Sequence, residues 1–334
     1  MTIYVHGFGH FHPENEITNR FLEELDIGTT DEWILERVGI RTRRTILPLD
    51  YIRETKNRNL AEGLEAALYK NDETSKRAAE MAIERAGISI SDIGMVLCGS
   101  SVVERVTPAE ACKVAALMGI ETIAFDINSA CTSFHAALYA LSLMVPEKLP
   151  PFILYVSPEN MTPNVDYSDR ASAVLWGDAA IAAVVSTQVP SKISIIGNTF
   201  FSSPAGHDKV VVPRTSHFYQ EGRTVQKFAI SKTVQLVKDL QKKYGDPNRA
   251  FNFVGHQANL IMLENICQRC DISNERHYSN IEWFGNTAAA GSASVISQNW
   301  DNWTETDDIG VAGVGAGLSW SSYLLRFEGR TREL

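Results

Sequence analysis

Apolar residues recur at helical spacing in the segment TSKRAAEMAIERAG, where Ala79, Ala82, Ile83 and Ala86 fall on one face and Gly87 is suited to ending the helix. A continuous apolar run, GMVLCGS, follows and reads as a buried strand. The alternation continues through a helix around PAEACKVAALMG, the strand ETIAFDI, a strongly apolar helix beginning near Cys131, and the strands PFILYVS and AAIAAVVS. The second half of the chain then replays this order. A long helix carries Val225, Phe228, Ala229, Leu236, Val237 and Leu240 on one face and precedes the strand AFNFVGH; helices near ANLIMLENICQRC and TAAAGSASVISQNW and the strands DIGVAGVG and SWSSYLLRF complete it.

The two series share an order of elements without a visible sequence repeat. They predict an α/β protein of two similar halves, residues 1–187 and 188–334. In that register Cys131 and Asn286 begin corresponding helices, so pseudo-symmetry would bring the two helix entrances to one site. A stretch near 48–70, which includes LDYIRETKNRNLAEGLEAALY, mixes charged and apolar residues and has no place in either series. It reads as an inserted helical loop over an entrance.

Composition narrows the function classes. A chain of 334 residues with 44% hydrophobic content buries a substantial core without a partner. A net charge of -9 and a pI near 5.4 argue against a nucleic-acid surface and disfavour broad attraction to anionic lipid. The N-terminal MTIYVHGFGHFHPENEI lacks a basic region followed by an apolar stretch, and no later run approaches the roughly 18 apolar residues of a membrane span. A cytoplasmic protein is the expectation, and five scattered cysteines are expected as reduced thiols.

Three residues carry candidate chemistry. Cys131 follows a strand and a small-residue turn at the start of a helix, where the partial positive charge of the helix N-terminus would favour thiolate over thiol; an inert buried cysteine explains the same context. His256 ends a strand that would aim an imidazole into a shared pocket, or serves as a hydrogen-bonded structural histidine. Asn286 sits between a glycine and a small-residue helix, as a pocket donor or a helix cap. The closing GVGAG leads into a strand rather than a phosphate-capping helix, which argues against a dinucleotide site. Cys267 and Cys270 have CxxC spacing but no second ligand pair, so no metal site is expected.

Taken in order, SAC at Cys131, GHQAN at His256 and GNTAAA at Asn286 resemble the active-site signatures of β-ketoacyl-ACP synthase III enzymes in the thiolase superfamily. The segments TTDEWILERVGIRTRR, YSDRASAVLWGDAAIAAVV and GVGAGLSWSSYLLRF extend the resemblance over nearly the whole chain. It implies a thiolase-like fold, two pseudo-symmetric halves in a layered αβαβα sandwich, and an acyltransferase of fatty-acid or polyketide biosynthesis. By this resemblance Cys131 accepts an acyl chain as a thioester. His256 and Asn286 bind the carbonyl of a malonyl- or β-ketoacyl-type extender as carbon dioxide leaves. The backbone N–H groups of Cys131 and Ala316 hold the oxyanion; Ala316 replaces a family glycine, which requires a negative φ. Trp33, Arg37 and Arg170 match positions that hold the nucleotide end of coenzyme A, although surface packing or ion pairing explains the same residues. Asn259 matches a pantetheine contact or caps a turn.

The resemblance further implies acyl-CoA or acyl carrier protein thioesters as substrates, no separate cofactor, and a homodimer. Two residues depart from it. Thr107 stands where initiating enzymes often place a large aromatic side chain that reaches the neighbouring subunit's acyl pocket, so a longer primer is expected. Ile261 replaces a basic carrier-docking residue, so carrier docking must differ or coenzyme A donors dominate. With the insertion, these departures suggest an alternative, a synthase joining two carrier-bound β-ketoacyl chains toward a pyrone or resorcinol. A thiolase would need another catalytic cysteine near the C-terminus, and none follows Cys270. Plant-type polyketide synthases share the triad but less of its context. A noncatalytic partner subunit is disfavoured because Cys131, His256 and Asn286 are all retained.

Overall fold

A computed structural model describes residues 2–328. Nine strands form the central sheet: β1 Ile3–Phe11, β2 Ile93–Cys98, β3 Ile123–Asp126, β4 Phe152–Glu159, β5 Ala179–Ser186, β6 Ile193–Ser202, β7 Ala250–Gly255, β8 Asp307–Gly315 and β9 Ser319–Phe327. Their spatial order is β3-β2-β4-β5-β1-β6-β9-β8-β7. The sheet is palindromic about the junction of β1 and β6. Moving outward, β1·β5 and β6·β9 are antiparallel, β5·β4 and β9·β8 are antiparallel, and β4·β2 and β8·β7 are parallel. The parallel edge pair β2·β3 is answered by a single parallel bridge, Phe253 to His277. The junction itself rests on two residue pairs, Ile3 with Ile195 and Tyr4 with Ser194.

Seven helices matter to the site: α1 Asp31–Val38, α2 Asn71–Ala86, α3 Glu110–Leu117, α4 Ser133–Ser142, α5 Gly222–Tyr244, α6 Leu260–Arg269 and α7 Ala290–Gln298. Helices α4 and α7 form the middle layer, because each touches strands of both halves: α4 meets β4, β6 and β9, and α7 meets β7, β1, β5 and β4. Outer layers are built by α2 on β1, β5 and β4 and by α5 on β8 and β9, which completes the αβαβα stack. Burial on both faces explains why β5, AAIAAVVS, reads as an unbroken apolar run rather than an alternating one. Close contact of α2 with β1 needs Gly9, since a Cβ there would lie 1.9 Å from the carbonyl oxygen of Ala78.

The insertion folds as two short helices, Leu49–Thr55 and Leu60–Ala66. Buried Asn57, between them, fixes it by donating to the carbonyls of Pro163 (2.9 Å) and Val165 (2.8 Å). This anchor draws the segment away from the expected entrance. It borders a cleft with residues 101–106 and 212–214, and none of its residues lines the cavity that contains Cys131.

Candidate active site

One cavity of about 600 Å³ is lined by Cys131, His256 and Asn286 together. Cys131 comes from the turn between β3 and α4. Ala130 before it holds φ 48°, and its N–H donates to Asn128 Oδ1 at 2.8 Å, so the chain doubles back before the helix begins. Cys131 lies in a short 3₁₀ turn, Ala130–Thr132, that leads into α4 at Ser133. Thr132 Oγ1 is 2.7 Å from Ser319 Oγ, which ties this turn to the closing hairpin of β8 and β9. The approach depends on Gly315, where a Cβ would come within 3.1 Å of Thr132 N.

His256 follows the last residue of β7, its N–H bonded to the Ala312 carbonyl at 3.0 Å. Asn286 is clamped against residues 175–177, donating its N–H to Leu175 (2.8 Å) and accepting at its carbonyl from Gly177 (3.0 Å). Its side-chain Oδ1 accepts from the Ala288 N–H at 2.9 Å, which leaves the Nδ2 amine as the available donor. Ala288 has φ 46° and precedes α7 as Ala130 precedes α4, so the two helix entrances are alike in backbone as well as position.

Electrostatics at the site differ from the sequence expectation in one respect. The thiol of Cys131, half-buried at the cavity wall, is pushed up to about 12 by burial, with the Glu159 carboxyl adding to the effect. Desolvation of a charged sulfur outweighs whatever the short 3₁₀ turn contributes, so the resting group is a thiol. Burial alone lowers His256 to about 4, so its imidazole is neutral at pH 7 and offers one N–H and one acceptor nitrogen.

The remaining expected residues divide. Trp33, Arg37, Arg170, Asn259 and Ala316 line the same cavity. Arg170 lies over the Trp33 ring, 4.8 Å from its centroid, and donates to the Gly28 carbonyl at 2.6 Å. Ala316 does not have a positive φ; Gly317 after it does, at 130°. Asn259 uses both ends of its amide within the protein, Oδ1 capping α6 at Met262 N (2.9 Å) and Nδ2 bonding Arg37 O (3.1 Å). Thr107 is exposed and lies outside this cavity. Cys267 and Cys270 are buried free thiols, both pushed upward by burial. Among the described residues no cluster suits a metal ion, and no helix is long and apolar enough to cross a membrane.

One residue near the site escaped the sequence reading. Glu159, fully buried at the end of β4, accepts from Ser101 N at 3.1 and 3.0 Å and from Ser101 Oγ at 3.2 Å. Burial raises its carboxyl to about 8. A carboxylate closing the apolar run FILYVSPE is the signal that could have found it.

Residues 125–204 match the family described as 3-oxoacyl-[acyl-carrier-protein] synthase III, and residues 240–327 match that family's C-terminal part. The β-ketoacyl-[acyl-carrier-protein] synthase III of Campylobacter fetus is 30% identical, with 96% of this chain and 97% of that one covered. The crystal structure of 3-oxoacyl-[acyl-carrier-protein] synthase III from Aquifex aeolicus superposes with a TM-score of 0.85 at 25% identity, covering 97% of this chain and all of the other. The priming β-ketosynthase of the R1128 polyketide pathway superposes with a TM-score of 0.80, also at 25% identity, covering 98% and 97%.

Proposed function

The chain belongs to the 3-oxoacyl-[acyl-carrier-protein] synthase III family of acyltransferases, and on that footing we propose that it performs a decarboxylative Claisen condensation with Cys131 as the acyl carrier. The observation that carries this reading is the convergence of Cys131, His256 and Asn286, from three separate elements, on one cavity.

In the first half-reaction Cys131 sulfur attacks the carbonyl of an acyl thioester; the new S–C bond forms as the donor's C–S bond breaks. Neutral His256 takes the thiol proton, which the departing thiolate then receives. In the second, the thioester carbonyl of a malonyl-type extender accepts hydrogen bonds from the His256 imidazole and Asn286 Nδ2. The bond to the carboxylate breaks, carbon dioxide leaves, and the developing enolate is stabilised by these two neutral donors. Its carbon attacks the acyl-Cys131 carbonyl, whose oxyanion is held by the backbone N–H groups of Cys131 and Ala316. Collapse breaks the C–S bond and returns the sulfur as thiolate, which takes a proton from solvent water.

Trp33, Arg37 and Arg170 serve the phosphorylated end of a coenzyme A or carrier thioester at the same cavity. The active form is a homodimer. Val103, Val106, Ile123, Leu143 and Val145 are exposed apolar side chains, and β3 is an open sheet edge. A second copy would cover them and bring its Thr107 to the acyl pocket.

The test is intact-protein mass spectrometry after incubation with acyl-CoA donors, followed by peptide mapping. The added acyl mass is expected on Cys131 and absent from Cys131→Ala. Undiminished acylation of that variant would overturn the assignment.

A further inference from the structure

The cleft beside the insertion takes no part in the chemistry proposed above, yet it has the makings of a ligand site. Its volume is about 540 Å³, within the range of roughly 300–1,000 Å³ typical of small-molecule pockets, and it shares no lining residue with the Cys131 cavity. Leu60 and Leu64, one turn apart on the second insertion helix, line it together with Ile46, Val102 and Val212. Leu64 is 42% exposed, so this apolar wall is open rather than sealed in the core. The Asn57 anchor sets part of the same cleft, because Pro163 and Asn164, beside which it fixes the insertion, are lining residues too.

The charges of the cleft are one-sided. Lys70, Arg105 and Arg214 line it against a single carboxylate, Glu104, which is already held by the Asn71 N–H and by Lys113 Nζ at 2.6 Å. Arg105 and Arg214 are exposed, and among the described residues neither side chain has a hydrogen-bond or ion-pair partner. Asn160, 4% exposed, is the third feature. Its Nδ2 donates to Asn71 Oδ1 at 2.9 Å, but its Oδ1 meets no donor within the protein. A buried acceptor left unpaired costs free energy unless a group from outside reaches it.

We propose that this cleft is a second binding site, for a hydroxylated fatty acid: the carboxylate beside Arg105 and Arg214, the hydroxyl donating to Asn160 Oδ1, and the alkyl chain along Leu60 and Leu64. Each feature selects one part of the ligand. Guanidinium groups without partners suit a carboxylate, whose two oxygens match their paired N–H donors. The orphaned amide oxygen requires a donor, which an ionised carboxylate lacks and a hydroxyl supplies. The leucine-lined wall suits an alkyl chain, whose burial removes apolar surface from water on both sides. The site is independent of the condensation chemistry at Cys131.

The test is isothermal titration of the full chain with 3-hydroxydodecanoate, with dodecanoate, which lacks the hydroxyl, and with methyl 3-hydroxydodecanoate, which lacks the charge. The hydroxy acid should bind one to one, roughly fivefold or more tighter than either analogue. Arg214→Glu should weaken the hydroxy acid by about tenfold or more and the methyl ester by less than about twofold, whereas Leu64→Asp should weaken both. Both replaced side chains are exposed, so the variants should melt with the wild type and load acyl groups from coenzyme A onto Cys131, read by mass, at its rate. That loading reports on the condensation chemistry separately. Absence of binding, equal affinity for all three ligands, or affinity unchanged in both variants would overturn the site. So would binding lost once Cys131 is alkylated with iodoacetamide, which would place the ligand in the catalytic cavity.

Discussion

Asn286 Oδ1 accepts the backbone N–H of Ala288 at 2.9 Å, and this bond fixes which end of the amide faces the cavity. The oxygen is committed to the turn that opens α7, so only Nδ2 is left to donate toward a developing enolate. One side chain thus shapes the turn ahead of α7, whose first turn has no side-chain cap, and keeps its Nδ2 for the proposed donor role.

Asn286→Asp separates those two roles, because aspartate keeps an acceptor for Ala288 but has no amine. Folding and acylation of Cys131 should persist, while extender decarboxylation falls about 10²- to 10³-fold, the usual effect of losing one oxyanion donor. Thermal melting, acyl loading by mass and release of labelled carbon dioxide measure the three properties. Equal loss of loading and decarboxylation in a folded variant would refute the assignment.

The half-buried thiol of Cys131 and the raised carboxyl of Glu159 give a pH test. Below about pH 8 Glu159 is mainly protonated and has little influence; above it, the carboxylate charge holds the thiol back from ionising. Glu159→Gln should alkylate with iodoacetamide at the wild-type rate at pH 7 and faster than wild type above pH 8. Superimposable profiles up to about pH 10 would show that the carboxyl does not act on the sulfur. A carboxyl with a folded pKa above its unfolded value contributes stability that is present below about pH 4.5 and is lost as pH rises through about 8. The contribution of Glu159 to thermal stability should therefore decline over that window and vanish in Glu159→Gln.

Thr107 is exposed in one chain, and in the proposed dimer it faces the partner's acyl pocket. Each additional methylene buried in a pocket left open by threonine contributes roughly 0.8 kcal/mol, so medium or long acyl donors should load in preference to acetyl donors. Thr107→Phe should reverse that order and leave the dimer intact. Adduct masses from competing thioesters, with sedimentation of both proteins, decide the matter; strong acetyl preference in the wild type, or a fully active monomer, would contradict it.

The order of elements and the residue types at the site are legible in the pattern of the chain. Strands buried on both faces read as apolar runs, α2 and α5 show their buried faces in the spacing of apolar residues, and the ordered signatures at Cys131, His256 and Asn286 carry the family. Local pattern reports which side of an element is buried, but it does not report what else is buried there. Contacts across the fold set what local pattern leaves open: Asn57 pins the insertion at residues 163–165, none of the insertion lines the Cys131 cavity, Asn259 bonds both α6 and Arg37, and Glu159 is fully buried against Ser101. Each depends on contacts between residues far apart in the chain and on the desolvation those contacts impose. A helix entrance in sequence promises a thiolate; burial of the sulfur by the surrounding packing favours the thiol.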